Sequence, residues 1–412
     1  MKFRRGILTI GKRRPPTILP PMSRPLVASY CTQFLKPEML HIYRQVTGLR
    51  RYTTFVMAKE RLGAERFPFD AIEMVKPERR LARSLFLKFV RRTPSLIYRG
   101  ELDAMREILA RRPADLMHIY FGHTGVHLLP FIEIWDKPCV VSFHGADVML
   151  AEFRGYREKM RRMLRIVPLV LARSESLRAR LVELGCPPEK IRINRTGIPL
   201  DQFPPVNRPA PADGAWWFVQ ACRLIPKKGL LTALHAFRRF VQKFPNAKFS
   251  IAGEGPMKTE IDQTIAALGL RESVELRGFL SQPELSALYS QAHVFLHPSE
   301  MTADKNQEGI PNSMLEAMST GLPVVATLHG GIPEAVDAAS GFLVGEKNDG
   351  ALFEAMLAVT GSAERWLAMG RAASESVGAR FEHAAQVAAL ENCYDEALAL
   401  KPEKHRTSNV ER

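Results

Sequence analysis

Glu308-Gly309-Ile310-Pro311-Asn312-Ser313-Met314-Leu315-Glu316 reads as a loop that turns into a helix, with one carboxylate before the turn and a second inside the helix. Upstream, His293-Val294-Phe295-Leu296-His297 is a short strand-like run closed by Pro298-Ser299. Downstream, Leu322-Pro323-Val324-Val325-Ala326-Thr327 is a second apolar strand. The unit is strand, loop, helix, strand. Pro311 suits a first helical turn, where its missing N–H costs nothing, and Gly309 lets a backbone approach a ligand closely. A helix that opens at the carboxyl end of a parallel strand presents free N–H groups and the positive end of a dipole. Gly309, Ile310, Pro311 and Asn312 therefore make a loop suited to an anion.

A carboxylate on that loop would repel a phosphate, so Glu308 is expected to accept hydrogen bonds from neutral hydroxyls beside it. Glu316, about two turns further on, is expected to reach a second hydroxyl cluster. Two acids flanking an anion site suit a diphosphate with a sugar on each side, which is a nucleotide sugar. On this stretch alone the blander alternative stays open: a solvated loop acid and a surface helix acid.

The pattern repeats on either side. Trp216 to Cys222 is a strand, Arg223-Leu224-Ile225-Pro226-Lys227-Lys228-Gly229 a loop, Leu230 to Phe244 a helix, and Ala247 to Ala252 a strand ending in Gly253-Glu254-Gly255-Pro256. A helix to Leu268, a strand Val274 to Arg277 and a helix Pro283 to Ala292 lead into the opening stretch. Alternating strands and helices predict a parallel, doubly wound sheet. Lys227 reads as the solvated neighbour of Lys228. From Phe203 to Gly214 the chain is FPPVNRPAPADG, too rich in proline for regular structure, so residues 205–214 are taken as a linker.

Before the linker, Leu26 to Tyr30 is a strand, Thr32 to Glu38 a loop leading into a helix through Val46, and Arg51 to Ala58 a second strand. Leu116 to Phe121 is a strand ending in Gly122-His123-Thr124-Gly125, and Cys139 to Phe143 another ending in His144-Gly145-Ala146-Asp147. Ligands of open α/β sheets bind outside the carboxyl ends of strands, so Gly122, His123, His144 and Asp147 should face one crevice. His123 and His127 are four apart, but no third ligand follows at suitable spacing, and no metal site is expected. Leu169 to Ala172 is a further strand, followed by a helix that Gly185 stops. Residues 78–112 have helical periodicity, with Leu85, Phe86, Phe89 and Val90 on one side and Lys88, Arg91 and Arg92 at its margin. That is a basic amphipathic helix, made either for a membrane surface or for packing on the sheet.

The expected architecture is α/β: a Rossmann-like first domain at 26–204 and a second at 215–380, facing each other across a cleft, the usual place for a ligand. A basic, proline-rich arm (1–25) precedes them. A last helix (381–400) and a loose tail (401–412) follow. The 412 residues are 46% hydrophobic, ample for two cores. Five scattered cysteines with no Cys-x-x-Cys pair argue against disulfides or structural zinc and fit a cytoplasmic protein. No apolar run reaches the roughly 20 residues of a membrane span. The net charge of +15 is uneven, with 38 Lys and Arg against 18 Asp and Glu in residues 1–200, and 20 against 25 in the remainder. Such asymmetry points to a polyanionic partner for the first half: an anionic membrane face, a lipid phosphate or nucleic acid. Nucleic acid is not expected, because no aromatic stacking platform is laid out. Nothing in the chain specifies an oligomer.

The ordered set Arg223 to Gly229, Ala252-Gly253-Glu254-Gly255-Pro256, Glu308 to Glu316 with Ala317-Met318, and Gly321 to Thr327 resembles the donor half of the family 4 retaining glycosyltransferases of the GT-B fold. His118-Ile119-Tyr120-Phe121-Gly122, Phe143 to Asp147, Gly185 to Ile191, and His329-Gly330-Gly331-Ile332-Pro333-Glu334 are similar to the exopolysaccharide, colanic-acid-type subgroup. The resemblance covers about residues 115–345. It implies a hexosyl transfer from a nucleotide diphosphate sugar, uridine diphosphate favoured, to a glycan or polyprenyl-diphosphate-linked acceptor at the inner face of the membrane. By that resemblance Arg223 and Lys228 hold the diphosphate, Glu308 the transferred sugar, Glu316 the ribose, and the backbone at Gly278-Phe279 the base, with Gly253 nearby. His144 contacts the sugar or acceptor from across the cleft. The route is front-side substitution without a metal or other cofactor. Two other readings compete: a GT-B nucleotide-sugar epimerase or phosphorylase, and a basic membrane- or nucleic-acid-binding protein.

Overall fold

The computed structural model describes residues 24–36, 39–78, 81–145, 148, 154–303 and 308–400. The expectations for most of the arm (1–23), for Asp147 and for the tail (401–412) fall outside those residues. Two parallel sheets carry the fold. The first contains β1 (Leu26–Phe34), β2 (Thr53–Arg61), β3 (Ile72–Met74), β4 (Leu116–Tyr120), β5 (Cys139–Phe143), β6 (Leu169–Ala172) and β7 (Ile191–Ile193), in the order β3-β2-β1-β4-β5-β6-β7. The second contains β8 (Trp217–Ala221), β9 (Lys248–Ala252), β10 (Val274–Gly278), β11 (Val294–His297), β12 (Val324–Thr327) and β13 (Gly341–Val344), in the order β10-β9-β8-β11-β12-β13. Each order reverses direction once, between β1 and β4 in the first sheet and between β8 and β11 in the second. At such a switch point adjacent crossovers leave on opposite faces and open a crevice.

The central strands are short continuous apolar runs because both their faces are covered. Every residue of β4, β5, β6, β11 and β12 is buried. Register is parallel throughout, for example Val294 opposite Phe218 and Phe295 opposite Val324. The helix Asn312–Ser319 lies inside the second lobe, with six consecutive residues from Met314 to Ser319 buried, so Glu316 is a core acid and not a surface one.

Several boundaries differ from those expected. β1 continues to Phe34, through the start of the expected loop, because its last residues pair with Glu60 and Arg61 of a β2 that is itself longer. The segment 78–112 is not one helix. Pro94 and a left-handed Gly100 divide it into a helix Leu81–Leu85 continued by a π turn Phe86–Val90, a short helix Ser95–Tyr98 and a helix Glu101–Arg111. Leu85, Phe86, Phe89 and Val90 are exposed, so this face does not pack on the sheet.

The last helix, His383–Ala399, leaves the second lobe and packs behind the first sheet. Leu390, Tyr394 and Ala397 join Val27, Leu116, Val140 and Leu169 in one apolar cluster. The Tyr394 hydroxyl lies 2.7 Å from His118 Nδ1, and Glu391 accepts the backbone N–H groups of Arg50 and Arg51. The proline-rich stretch is stitched to the second lobe: buried Arg208 donates to the carbonyl of Tyr289, and Val206 N–H to that of Thr320.

Candidate active site

The carboxyl ends of β8, β9, β11 and β12 converge on Glu308. The loop after β8 makes a 3-10 turn, Pro226–Lys228, ended by Gly229 at φ +61°. A Cβ there would stand 1.8 Å from the carbonyl oxygen of Pro298, so only glycine lets this loop lie against the end of β11. Gln220, buried in β8, donates to the Lys228 carbonyl at 2.8 Å, and Glu300 N–H donates to that of Lys227. Both lysines are thereby turned inward. Lys228 Nζ is 2.5 Å from Glu308 Oε1 and Lys227 Nζ is 3.6 Å from the same oxygen.

Lys227 is thus not the solvated neighbour expected from the sequence. Its side chain is 9% exposed, less than the 12% of Lys228, because its ammonium, like that of Lys228, closes on the Glu308 carboxylate. Burial lowers its pKa, opposed by Glu308 and assisted by the charges of Lys228 and Arg223. Arg223 itself is exposed, at the mouth of the same loop. Burial alone would raise the Glu308 pKa, but Lys228 and Lys227 outweigh it and hold the carboxyl down at about 2. Two lysines share one carboxylate, which leaves a net positive hollow at the start of the Asn312–Ser319 helix. The first N–H groups of that helix have no intrahelical acceptor.

Glu308 is held from behind. Its backbone N–H donates to His329 Nε2 at 3.0 Å, and His329 Nδ1 lies 2.7 Å from Glu346 Oε1, which orients the neutral ring with its proton on Nδ1. Glu346 Oε2 accepts Met301 N–H, so one acid positions both walls of the hollow. Gly330, at φ +55°, brings its loop so close that a Cβ would meet the Glu308 carbonyl at 2.1 Å. Around this hollow both ring nitrogens of His297, Ser299 Oγ and Gln220 Oε1 are buried with no hydrogen-bond partner among the described residues. Buried polar atoms in that state call for water or a polar ligand.

The remaining expected donor residues line the same edge. Gly253 N–H donates to the Gly278 carbonyl at 2.7 Å, joining the ends of β9 and β10. Pro311 caps the Asn312–Ser319 helix, and Ser313 ties it to β8 by donating to the Ala221 carbonyl. Gly309 and Ile310 lie at the lobe boundary: a Cβ on Gly309 would be 3.9 Å from the His144 carbonyl.

From the first lobe, His144 follows β5 into this boundary. Its Nδ1 is 3.1 Å from Arg173 Nη1 and 3.0 Å from His41 Nε2, and its Nε2 is 3.0 Å from Ser142 Oγ. Desolvation, then Arg173 and His41, push its pKa well below the ordinary value, so the ring is neutral, accepting at Nδ1. Phe121 adopts φ +74° beside it, with ring centroids 4.5 Å apart. Gly122 is buried, with Phe143 where a Cβ would be, and His123 is exposed. His127 turns away from both and faces Glu101 at 2.7 Å.

Two expected nucleoside contacts are occupied by arginines of the first lobe. Arg44 Nη1 is 3.1 Å from Glu316 Oε1 and its Nη2 is 2.6 Å from Gln282 Oε1, with both charged side chains under a tenth exposed. Burial raises the Glu316 pKa, with Arg44 opposing. The Arg66 guanidinium covers the face of Phe279 at 4.1 Å. A third inter-lobe link is Glu334, which accepts the backbone N–H groups of Glu175 and Ser176 at 2.9 and 3.0 Å and meets Arg195 at 3.3 Å. Arg44, Arg66, Arg173 and His41 carry no local motif. Arg173 alone could have been found, since it follows β6 just as His144 follows β5.

Residues 207–375 match the family described as glycosyl transferases group 1, and residues 55–202 the one described as Glycosyltransferase Family 4. WcaL of Escherichia coli strain K12, whose name assigns it provisionally to colanic acid biosynthesis as a glycosyltransferase, is 36% identical over 60% of this chain. The amylovoran biosynthesis glycosyltransferase AmsK of Erwinia amylovora is 33% identical over 59%. Each alignment spans 61% of the relative's own length. HepE of Anabaena, solved in complex with UDP, superposes with a TM-score of 0.72 at 18% identity, over 90% of this chain and 100% of that one, a likeness of fold. With a family 4 domain in its first lobe and a group 1 domain in its second, the chain belongs to the glycosyltransferases of the GT-B fold.

Proposed function

We propose that the protein transfers a hexosyl group from a nucleoside diphosphate sugar, with uridine diphosphate as the nucleotide, to a glycan or polyprenyl-diphosphate-linked oligosaccharide during cell-surface polysaccharide assembly. The observation that carries the reading is the meeting of Lys227, Lys228 and Glu308 beneath Arg223, at the start of the Asn312–Ser319 helix. The names of WcaL and AmsK support the pathway class, and the nucleotide bound by HepE supports the donor.

In this reading Arg223, Lys228 and the helix N–H groups bind the diphosphate, and Arg223 can fork onto two oxygens. Lys227 keeps Glu308 ionised, and Glu308 turns to the hydroxyls of the transferred sugar. The bond from the anomeric carbon to the leaving phosphate oxygen breaks while the acceptor oxygen bonds the same face. The acceptor's proton passes to the leaving phosphate, so configuration is retained. Catalysis is then positioning and electrostatics. Neutral His144 faces the sugar or acceptor from the other lobe. The charge on the leaving group is met by side chains and amides, so no divalent metal is required.

We place the protein at an anionic cytoplasmic membrane face, where the exposed 81–90 segment and the basic first lobe dock. Among the described residues no helix is long and apolar enough to cross a membrane. A panel of nucleotide sugars, scored for slow hydrolysis and for transfer with and without excess chelator, tests the proposal. Turnover of a uridine diphosphate sugar that chelator leaves intact is expected. Inertness toward the whole panel, or complete loss in chelator, overturns it.

A further inference from the structure

We infer that the first lobe holds a binding site for the phosphate-bearing head of an apolar-chain lipid, separate from the donor hollow. A cavity of about 780 Å³ opens beside the end of β2, lined by Lys59, Lys76, Ser84, Tyr98, Arg99 and Glu101. Lys59 is held by the buried Glu101 at 2.5 Å, so that pair is neutral overall. Lys76 and Arg99 are exposed and have no ion pair among the described residues. Their two positive charges are left to face whatever enters. Lys88 stands at the mouth, its Nζ 4.9 Å from the ring centroid of Phe89 and 5.8 Å from that of Tyr98. The hydroxyls of Ser84 and Tyr98 add neutral donors, the complement an anionic oxygen cluster asks for.

The same cavity has an apolar margin. Leu81 lines it at 74% exposure, and Leu85, Phe86, Phe89 and Val90 continue the surface at 56, 49, 63 and 66%. Five of the thirteen large apolar side chains exposed among the described residues thus fall within ten positions, flanked by Arg83, Lys88, Arg91 and Arg92. An apolar patch of that density marks an interaction site. Cations set in a hollow beside an apolar shelf match one chemistry, an anionic head joined to a hydrocarbon chain. A bilayer surface alone would use the shelf and leave the hollow without a role.

The placement suits an acceptor. The Glu101 carboxylate that holds Lys59 also meets His127, the last residue of the helix Gly122–His127, whose N-cap residue Phe121 packs its ring against His144. About 8 Å of helix separates the hollow from the reacting edge, so a lipid anchored here by its phosphates could present sugars attached to it. This rests on the proposed transfer to a lipid-linked glycan.

The test titrates the full chain, with uridine diphosphate at saturation to fill the donor hollow, using farnesyl diphosphate and inorganic diphosphate as probes. Farnesyl diphosphate should bind at least tenfold more tightly. The pair Lys76→Ala with Arg99→Ala should weaken it about tenfold. The pair Phe86→Ser with Phe89→Ser should reduce it to the level of inorganic diphosphate. All four positions are exposed, so folding is spared, and uridine diphosphate affinity should stay unchanged. Equal binding of the two probes, or indifference of farnesyl diphosphate to either pair, overturns the inference. So does a protein that binds phosphatidylglycerol vesicles through Phe86 and Phe89 yet ignores farnesyl diphosphate. Failure of uridine diphosphate itself to bind counts against the proposed donor and not against this pocket, which is read from the difference between the probes.

Discussion

Replacing Arg44 by alanine should tighten the binding of a nucleoside diphosphate. Glu316 is the acid expected to take the ribose hydroxyls, and in the structure one of its oxygens is engaged by Arg44 at 3.1 Å in a nearly dry setting. A ribose cannot use both oxygens until that contact opens. A buried hydrogen bond between charged groups contributes roughly 1.5–3 kcal/mol. Gln282, held by the same guanidinium at 2.6 Å, must be released with it. Part of the gain is offset, because without Arg44 the buried carboxyl of Glu316, its pKa already raised, loses its counter-charge. The low end is therefore expected: about 1.4 kcal/mol, or a tenfold lower Kd. Titration calorimetry with uridine and guanosine diphosphates at pH 7.5 measures it, with Gln282→Ala as the lesser perturbation and a smaller gain. Binding of either nucleotide to Arg44→Ala threefold weaker than to wild type would place the guanidinium among the ligands of the nucleotide instead of in competition with it.

Arg223→Ala and Lys228→Ala should each raise the barrier by roughly 3 kcal/mol, on the order of 10²–10³ in rate, read as kcat with a nucleotide sugar; rates within about threefold of wild type for both would contradict their placement on the leaving diphosphate. Stability should fall as the pH drops below about 6.5. His118 and His297 are buried and held neutral, with pKa values lowered to about 3, so the unfolded chain takes up protons that the folded one refuses. At pH 5 that amounts to about 2 kcal/mol for each ring. Urea unfolding between pH 5 and 8 checks it; a flat midpoint below 6.5 would mean that these rings find proton acceptors the structure does not contain.

The second lobe was the more legible half. Its strands and helices follow one another with few interruptions, and the stretch from Glu308 to Glu316 placed one acid on the loop before a short helix and the other within it. The first lobe was harder. β1 outran its apparent end because pairing with β2 outweighed the local loop signal, and Pro94 with Gly100 broke a segment whose periodicity suggested one helix. Lys227 departs from expectation because adjacent charged residues on a surface loop ordinarily diverge, whereas here Gln220 and Glu300 hold the loop by its carbonyls and both ammonium groups reach the buried Glu308.

Local pattern determined by itself that there are two parallel α/β lobes, that a helix starts beside Glu308, and that cations follow the first strand of the second lobe. Each of these depends on interactions within a few tens of residues, through periodicity, turn residues and helix ends. That Arg44 claims Glu316, that Arg66 covers Phe279, that Glu334 caps a helix of the other lobe, and that the last helix buries Tyr394 against His118 all depend on how the lobes dock. Those contacts join residues 158 to 276 positions apart, and for a side chain with no local partner it is the docking of the two lobes that sets what it meets.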